Sequence, residues 1–300
     1  MSVRRIPWIA VIRCHTLPEF VADTIDSLFH YASPDNRPLV VLSIDRNPLL
    51  RDRLEPAYPQ VLFHVVNETC GWGGGLYRLF ARTMSWLLND LQLVFNYLWL
   101  FDYDAVPLVP CFEIETHQRM DRTPGVGQMG RRHLRNPYWV GKMRQAEPVF
   151  KQNLRRSGYS WPHGYQMGDH NAGALNVYSG NCLAKMNAMG MFSHEHILDL
   201  PVKSGIADDP YISFMVQVAG YQIADIGPRP YLRWKMTEDY RDVLQRDYSI
   251  FHPTKLEPGH KPYSILREKE CRDYLRARRG AEPIVLYPDT GQMAYPHNVS

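Results

Sequence analysis

Asp102 and Asp104 stand one residue apart at the end of the apolar run Tyr97-Leu-Trp-Leu-Phe101. Along an extended chain, positions i and i+2 point to one side, so both carboxylates can serve one cation. Two carboxylates that close repel each other unless a cation or hydrogen-bond donors compensate. Hard oxygen ligands suit Mg²⁺ or Mn²⁺, ions that also bridge phosphates. The bland alternative is a pair of solvated aspartates in a strand-to-helix loop. The run before them decides against it: it reads as a buried strand of a parallel sheet, and open α/β sheets hold ligands beyond the carboxyl ends of their strands.

Other strand ends belong to the same surface. His15 and Thr16 follow the first strand and can line a base, while Asp45 follows the second and can accept from ribose hydroxyls or a base N–H. Capping by Thr16 and turn chemistry at Asp45 are the competing roles. The turn Gly71-Trp-Gly-Gly-Gly75 precedes a helix, and its backbone N–H groups, Gly74 among them, can face a phosphate. It fits neither standard phosphate fingerprint, and loop packing explains it equally well. Arg78, one turn into that helix, is the better phosphate contact if the helix mouth faces the site.

Asp208-Asp209-Pro210 begins a helix, with Asp209 as N-cap and proline in the first turn. A carboxylate there can also act as general base toward a hydroxyl. His252, in Phe251-His-Pro-Thr-Lys255, is a possible Mn²⁺ ligand, and Lys255 a counter-charge for phosphate. His194-Glu-His196 lacks the i, i+4 spacing of a helical zinc site and is set aside.

The elements that must position these groups are clearest in the first hundred residues. Apolar strands at Trp8–Ile12, Leu39–Ile44 and Val61–Val66, the strand before Asp102, and amphipathic helices after Thr16 and over 76–88 give β-α-β-β-α-β. That order predicts an α/β fold with a right-handed, mainly parallel twisted sheet. Residues 1–110 form the first half of this arrangement. From 111 to 173 the periodicity dissolves into a loop-rich, basic and aromatic insertion. Residues 174–300 resume with a strand at Ala174–Tyr178, helices from Ser179 and from Tyr211 to Ala219, a strand at Gln222–Ile226 and an irregular, proline-rich tail.

A length of 300 residues allows a large core in one continuous domain. Net charge is +3, which neither demands nor excludes a polyanionic partner. Five scattered cysteines without Cys-x-x-Cys fit free thiols in a reducing compartment. With no leader and no apolar stretch of about 20 residues, a cytoplasmic location without a membrane span is expected.

Taken in order, these residues resemble the GT-A fold glycosyltransferases, which use nucleotide-sugar donors. The likeness covers about residues 8–255 and implies a nucleotide-sugar-binding half over 1–110 and an acceptor-binding half with the C-terminal tail over 174–300. Asp102-Tyr103-Asp104 is similar to their DxD motif, and the resemblance implies that Asp104 and Asp102 serve the metal while Asp102 and Tyr103 line the donor. It further implies that His252 completes the metal shell, Asp45 meets the nucleoside, and Asn181 in Ser179-Gly-Asn181 contacts donor or acceptor. Asp209 or Asp208 would be the base of an inverting transfer, with Mn²⁺ or Mg²⁺ neutralising the leaving diphosphate of a donor such as a UDP-sugar.

The 111–173 insertion departs from the family pattern and leaves the acceptor open. Arg131, Arg132 and Arg135, interleaved with Trp139 and Trp161, suit either a saccharide acceptor or DNA carrying hydroxymethylated bases. Two further readings stand beside the transferase: a nucleotidyltransferase acting on a sugar phosphate, and a non-catalytic saccharide- or nucleic-acid-binding module. Against the first, His15-Thr-Leu-Pro18 offers no glycine-rich loop after the first strand. Against the second, a binding module has no use for an acidic pair with a candidate base.

Overall fold

The computed structural model describes residues 5–68, 70–71, 73–227, 232–235, 238–246, 248–254 and 264–286. Trp72 of the glycine-rich turn and Lys255 lie outside the described residues.

The chain opens with β1 (Ile6–Cys14), α1 (Pro18–Tyr31), β2 (Leu39–Asp45), α2 (Pro48–Leu54), β3 (Leu62–Val66) and α3 (Gly75–Ser85), which runs on as a π-turn to Asp90. Next come β4 (Phe95–Asp102), β5 (Val106–Pro107), α4 (Ile114–Arg122), β6 (Val126–His133) and α5 (Pro137–Arg156). The second half holds β7 (His170–Ser179), α6 (Gly180–Ala188), α7 (Glu195–Leu198), α8 (Leu200–Ser204), α9 (Asp208–Val218) and β8 (Gln222–Asp225). Last are β9 (Leu232–Lys235), α10 (Tyr240–Val243), β10 (Ile250–Thr254) and α11 (Ile265–Arg278).

Seven strands make the main sheet in the order β3-β2-β1-β4-β7-β6-β8. All run parallel except β7, which is antiparallel to β4 and β6 on either side. The expected α/β class and mainly parallel sheet are therefore what the chain adopts. Strand residues alternate between two cores: Ile9 and Val11 face one with α3, α5, α6 and α9, while Trp8, Ala10 and Ile12 face the other with α1, α2 and α4. A sheet covered on both faces explains why its strands read as unbroken apolar runs.

Three expectations are corrected. A short helix, α2, separates β2 from β3; its seven residues, PLLRDRL, bury only Leu50 and Leu54, too little period to show in the sequence. The stretch 111–173 is not loop-rich: it supplies a sheet strand (β6) and the 20-residue α5. Helix α5 buries Met143, Ala146, Phe150 and Leu154 at helical spacing, a pattern masked by Pro148 inside it. The tail is also ordered in part, as β9, β10 and the docked α11.

Among the described residues no helix is long and apolar enough to cross a membrane.

Candidate functional site

The carboxyl ends of β1 and β4 lie side by side, with Arg13 in register with Asp102. After β4 the chain turns tightly, the Ala105 N–H bonding the Asp102 carbonyl at 2.9 Å. It then forms β5, where Val106 pairs with Phe251 of β10. That two-residue hook brings His252 back to the turn, its Nε2 3.3 Å from Asp104 Oδ1. One ligand atom each from Asp102, Asp104 and His252 lies within 4.8 Å of the others. Asp104 is 1 % exposed and His252 12 %, so the group sits in a recess with Asp102 at its open side.

Two carboxylates and an imidazole are the donor set that Mn²⁺ accepts readily and Mg²⁺ through its oxygens. The residues present fit such an ion. A buried carboxylate beside another is costly without a cation, and the three groups come from two separate segments that the β5–β10 pairing brings together.

Beside this group lies a residue that the sequence did not single out. Arg13, 6 % exposed, donates Nε and Nη2 to Asp102 Oδ1 at 3.1 and 2.8 Å, and Nη1 to Asp208 Oδ2. Burial lowers its pKa, but Asp102, Asp208 and Asp209 more than reverse this and hold it charged. The signal was present: a single charge interrupts the run Trp8-Ile-Ala-Val-Ile-Arg13, and buried arginines need paired carboxylates.

Asp208 and Asp209 open α9, whose N-cap is Ala207 and not Asp209. At the amino end of a helix both carboxylates are favoured by its dipole. Asp209 Oδ2 accepts the Gly173 N–H at 2.8 Å, which fixes its direction. Burial raises the Asp208 carboxyl, with Arg13 pulling the other way. Asp209 is pushed well above the usual carboxylate range, first by burial and then by the charge of Asp208. A proton acceptor with a raised pKa is what general-base work near neutrality requires.

The remaining expected residues divide. Thr16 is buried and His15 half-buried behind β1, its ring 5.9 Å edge-on from that of Tyr103. Leu17, and not Thr16, is the N-cap of α1, in left-handed conformation at φ 55. Tyr103 is itself a core side chain, 3 % exposed. Asp45, at the end of β2, accepts the N–H groups of Cys70 and Gly71 at 3.3 and 3.2 Å and so ties the glycine-rich turn to the sheet. Gly74 is demanded by packing, since a Cβ there would meet the backbone of Pro201, Val202 and Ile206 within 2.8 Å. The Arg78 guanidinium is engaged by Glu68 at 2.6 Å, Glu195 at 2.9 Å and Asp199.

Arg131 and Arg132 end β6, parallel to β4 and therefore at the same edge as Asp102. Arg132 reaches Asp169 at 3.3 Å, and Arg135 bonds the same carboxylate through its N–H at 2.7 Å and Gln166 through its guanidinium at 2.8 Å. Trp139 is half-buried beside His170, ring centroids 6.3 Å apart. Trp161 packs on Tyr165 and Phe214 as part of the core wall.

Asn181 is a correction. Because β7 is antiparallel to β4, Ser179 pairs with Tyr97 at the amino end of β4. Asn181 consequently lines a hollow of about 550 Å³ with Arg5, Asn96 and Asp121, at the opposite edge of the sheet from Asp104.

No protein-family model and no curated protein matches the chain. Among solved structures it is similar to the WbbM bifunctional glycosyltransferase, at 9 % identity and a TM-score of 0.50, over 98 % of this chain and 52 % of that one. The chain has a GT-A fold. It spans about half the length of that structure. Two more similarities are to a mannosyltransferase from Pyrobaculum calidifontis solved with GDP-Man and Mn²⁺ (13 % identity, 86 % of this chain and 59 % of that, TM-score 0.46) and to the mannosyltransferase Ktr4p of S. cerevisiae (12 %, 97 % and 84 %, 0.47). At such identities the likeness is one of fold. Within the GT-A fold, the edge that carries Asp102, Asp104, Arg13 and Asp209 is the carboxyl end of the parallel strands, where open sheets bind ligands.

Proposed function

We propose that this chain is a glycosyltransferase that moves a sugar from a nucleotide-sugar, a UDP-sugar in the first instance, to an acceptor hydroxyl with inversion. The observation that supports this reading most is the convergence of Asp102, Asp104 and His252 beside an aspartate of raised pKa. Residues 1–110 would hold the nucleotide, with His15, Thr16 and Asp45 toward the nucleoside. Residues 174–300 would supply the base, the acceptor contacts and, through His252, one metal ligand.

Asp102, Asp104 and His252 would hold Mn²⁺ or Mg²⁺. Such an ion, when bound, offsets the charge that builds on the departing diphosphate. Asp209 takes the proton of the acceptor hydroxyl as that oxygen bonds to the anomeric carbon. The bond from that carbon to the diphosphate oxygen breaks with its electron pair, and the nucleoside diphosphate leaves. The Gly173 N–H aims the base, and Arg13 holds Asp208 and Asp102 in fixed relation, so the two halves of the chemistry share one rigid strut.

For the acceptor we favour a saccharide. Arg132 is ion-paired with Asp169, the Arg135 guanidinium is engaged by Gln166, and Trp161 packs against the core, which leaves less of the basic and aromatic surface that a DNA acceptor would use.

Turnover of UDP-, GDP- and dTDP-sugars with Mn²⁺, alongside Asp104→Ala, tests the reading. Hydrolysis of one donor class, abolished in the variant, is the expected result. Absence of metal-dependent UDP, GDP and dTDP binding by titration calorimetry would overturn it.

A further inference from the structure

The backbone between the two metal-binding aspartates is held from behind. The Tyr103 N–H bonds the Arg13 carbonyl at 3.1 Å. The Tyr103 carbonyl accepts Thr24 Oγ1 of α1 at 2.5 Å and Arg272 Nη2 of α11 at 3.4 Å. Both peptide groups of the residue linking Asp102 to Asp104 are thus fixed, and with them the direction in which the Asp104 side chain leaves the chain.

Arg272 is fully buried, a setting that only a complete set of partners makes tolerable. Its Nη1 meets Asp23 Oδ2 at 2.7 Å and its Nε meets Glu268 Oε1 at 2.9 Å. The guanidinium lies 4.7 Å from the Phe20 ring centroid. Burial lowers its pKa, but Glu268 and Asp23 more than reverse that, so the group stays charged. Arg276 and Arg279, one and two turns further on, also bond Asp23 and dock α11 on α1.

The adjacent flank of the same helix reaches the segment of the other candidate ligand. Cys271 and Leu275 are buried in one cluster with Val106, two residues after Asp104, and with Phe251, next to His252. One helix therefore backs both segments whose convergence makes the candidate metal site.

We propose that Arg272, acting with Thr24, is a positioning residue that sets the divalent-cation affinity of the Asp102–Asp104–His252 group through the Tyr103 carbonyl. This rests on the metal reading given above. Neither residue touches the ion; each holds the peptide that aims its ligands, and outer partners of that kind change metal affinity by about 10–100-fold.

The test is Mn²⁺ binding to the full chain, followed by the electron paramagnetic resonance of free Mn²⁺, with thermal stability measured in parallel. Thr24→Val keeps shape and removes one donor; Arg272→Lys keeps charge and loses the reach of the guanidinium fork. Each is expected to weaken Mn²⁺ binding by about tenfold or more. Arg279→Gln loosens the same helix from the same Asp23 without touching Tyr103, and is expected to lower the melting temperature while Mn²⁺ affinity stays within about twofold of wild type. Wild-type affinity in Thr24→Val and Arg272→Lys overturns the inference alone, as does an equal loss in Arg279→Gln. If Arg272→Lys does not fold, Thr24→Val decides the matter. A wild-type chain that binds no Mn²⁺ overturns the metal site itself, and this inference with it.

Discussion

Two buried arginines lie on opposite sides of the same turn and live in different electrostatic surroundings. Behind it, Arg272, Arg276 and Arg279 face Asp23, Asp26 and Glu268, three cations with three anions. In front, Arg13 pairs with Asp102 and Asp208 and His252 lies against Asp104, with Asp209 close by. The rear network is closed and balanced, so it serves docking. The front one gathers four carboxylates around one buried guanidinium among the described residues, an arrangement that favours protons or an added cation. Buried charge by itself therefore says little about function; the excess of carboxylates over buried guanidinium groups is what separates the front from the rear.

Four perturbations sharpen or break that contrast. Asp104→Ala removes a ligand from the unbalanced side, and donor turnover is expected to fall by about 10³-fold with loss of Mn²⁺ binding; steady-state kinetics that show less than a tenfold loss would erase the distinction between the two sides. Arg13→Met removes the buried guanidinium of the front and is expected to cost about 3 kcal/mol in denaturant unfolding, because buried Asp208 and half-buried Asp102 lose their partner.

Asp209→Asn is expected to lower kcat by about 10²-fold with donor affinity unchanged. Its pH behaviour has a definite sign. The native pKa of Asp209 lies above its unfolded value, so the carboxyl's stabilising contribution is complete below ~3.9 and is lost as pH rises through the native pKa. The asparagine variant is thus expected to melt at or above the wild-type temperature near neutral pH. The wild-type kcat/KM should climb along an acid limb centred above ~3.9, the ordinary aspartate value, because the base works only when deprotonated. A limb at or below that value removes Asp209 from the role. The smallest effect belongs to Asn181→Ala, at the far edge of the sheet, where kcat/KM is expected to stay within about twofold.

What could be read in the sequence follows from the range of the interaction that carries it. Strands β1 to β4 announce themselves because a sheet covered on both faces needs continuous apolar runs, and Asp45 and Asp102 stand where those runs stop. The direction of β7 is set by its neighbours and not by its own residues, so the helix after it was expected at the wrong edge, and Asn181 with it. Helix α5 hid behind Pro148. The role of Arg13 depends on partners 89 and 195 positions away, and that of Arg272 on one 249 away. No local pattern encodes such distances. His252 was named from its residue type and place in the order, but what brings it to Asp104 is the pairing of Val106 with Phe251, two positions in a strand too short to detect.

That two-residue strand has a consequence for synthesis. The candidate metal ligands come from two segments about 150 residues apart in sequence, and the strut from Arg13 closes only when α9 arrives. A nascent chain that has already folded its first four strands on the ribosome holds Asp102 and Asp104 but not His252, Asp209 or the α11 backing. Contacts of such long range also form slowly. The polypeptide consequently acquires its complete acidic recess only after α11 has been made, and a product cut short before residue 252 would lack both His252 and the α11 backing.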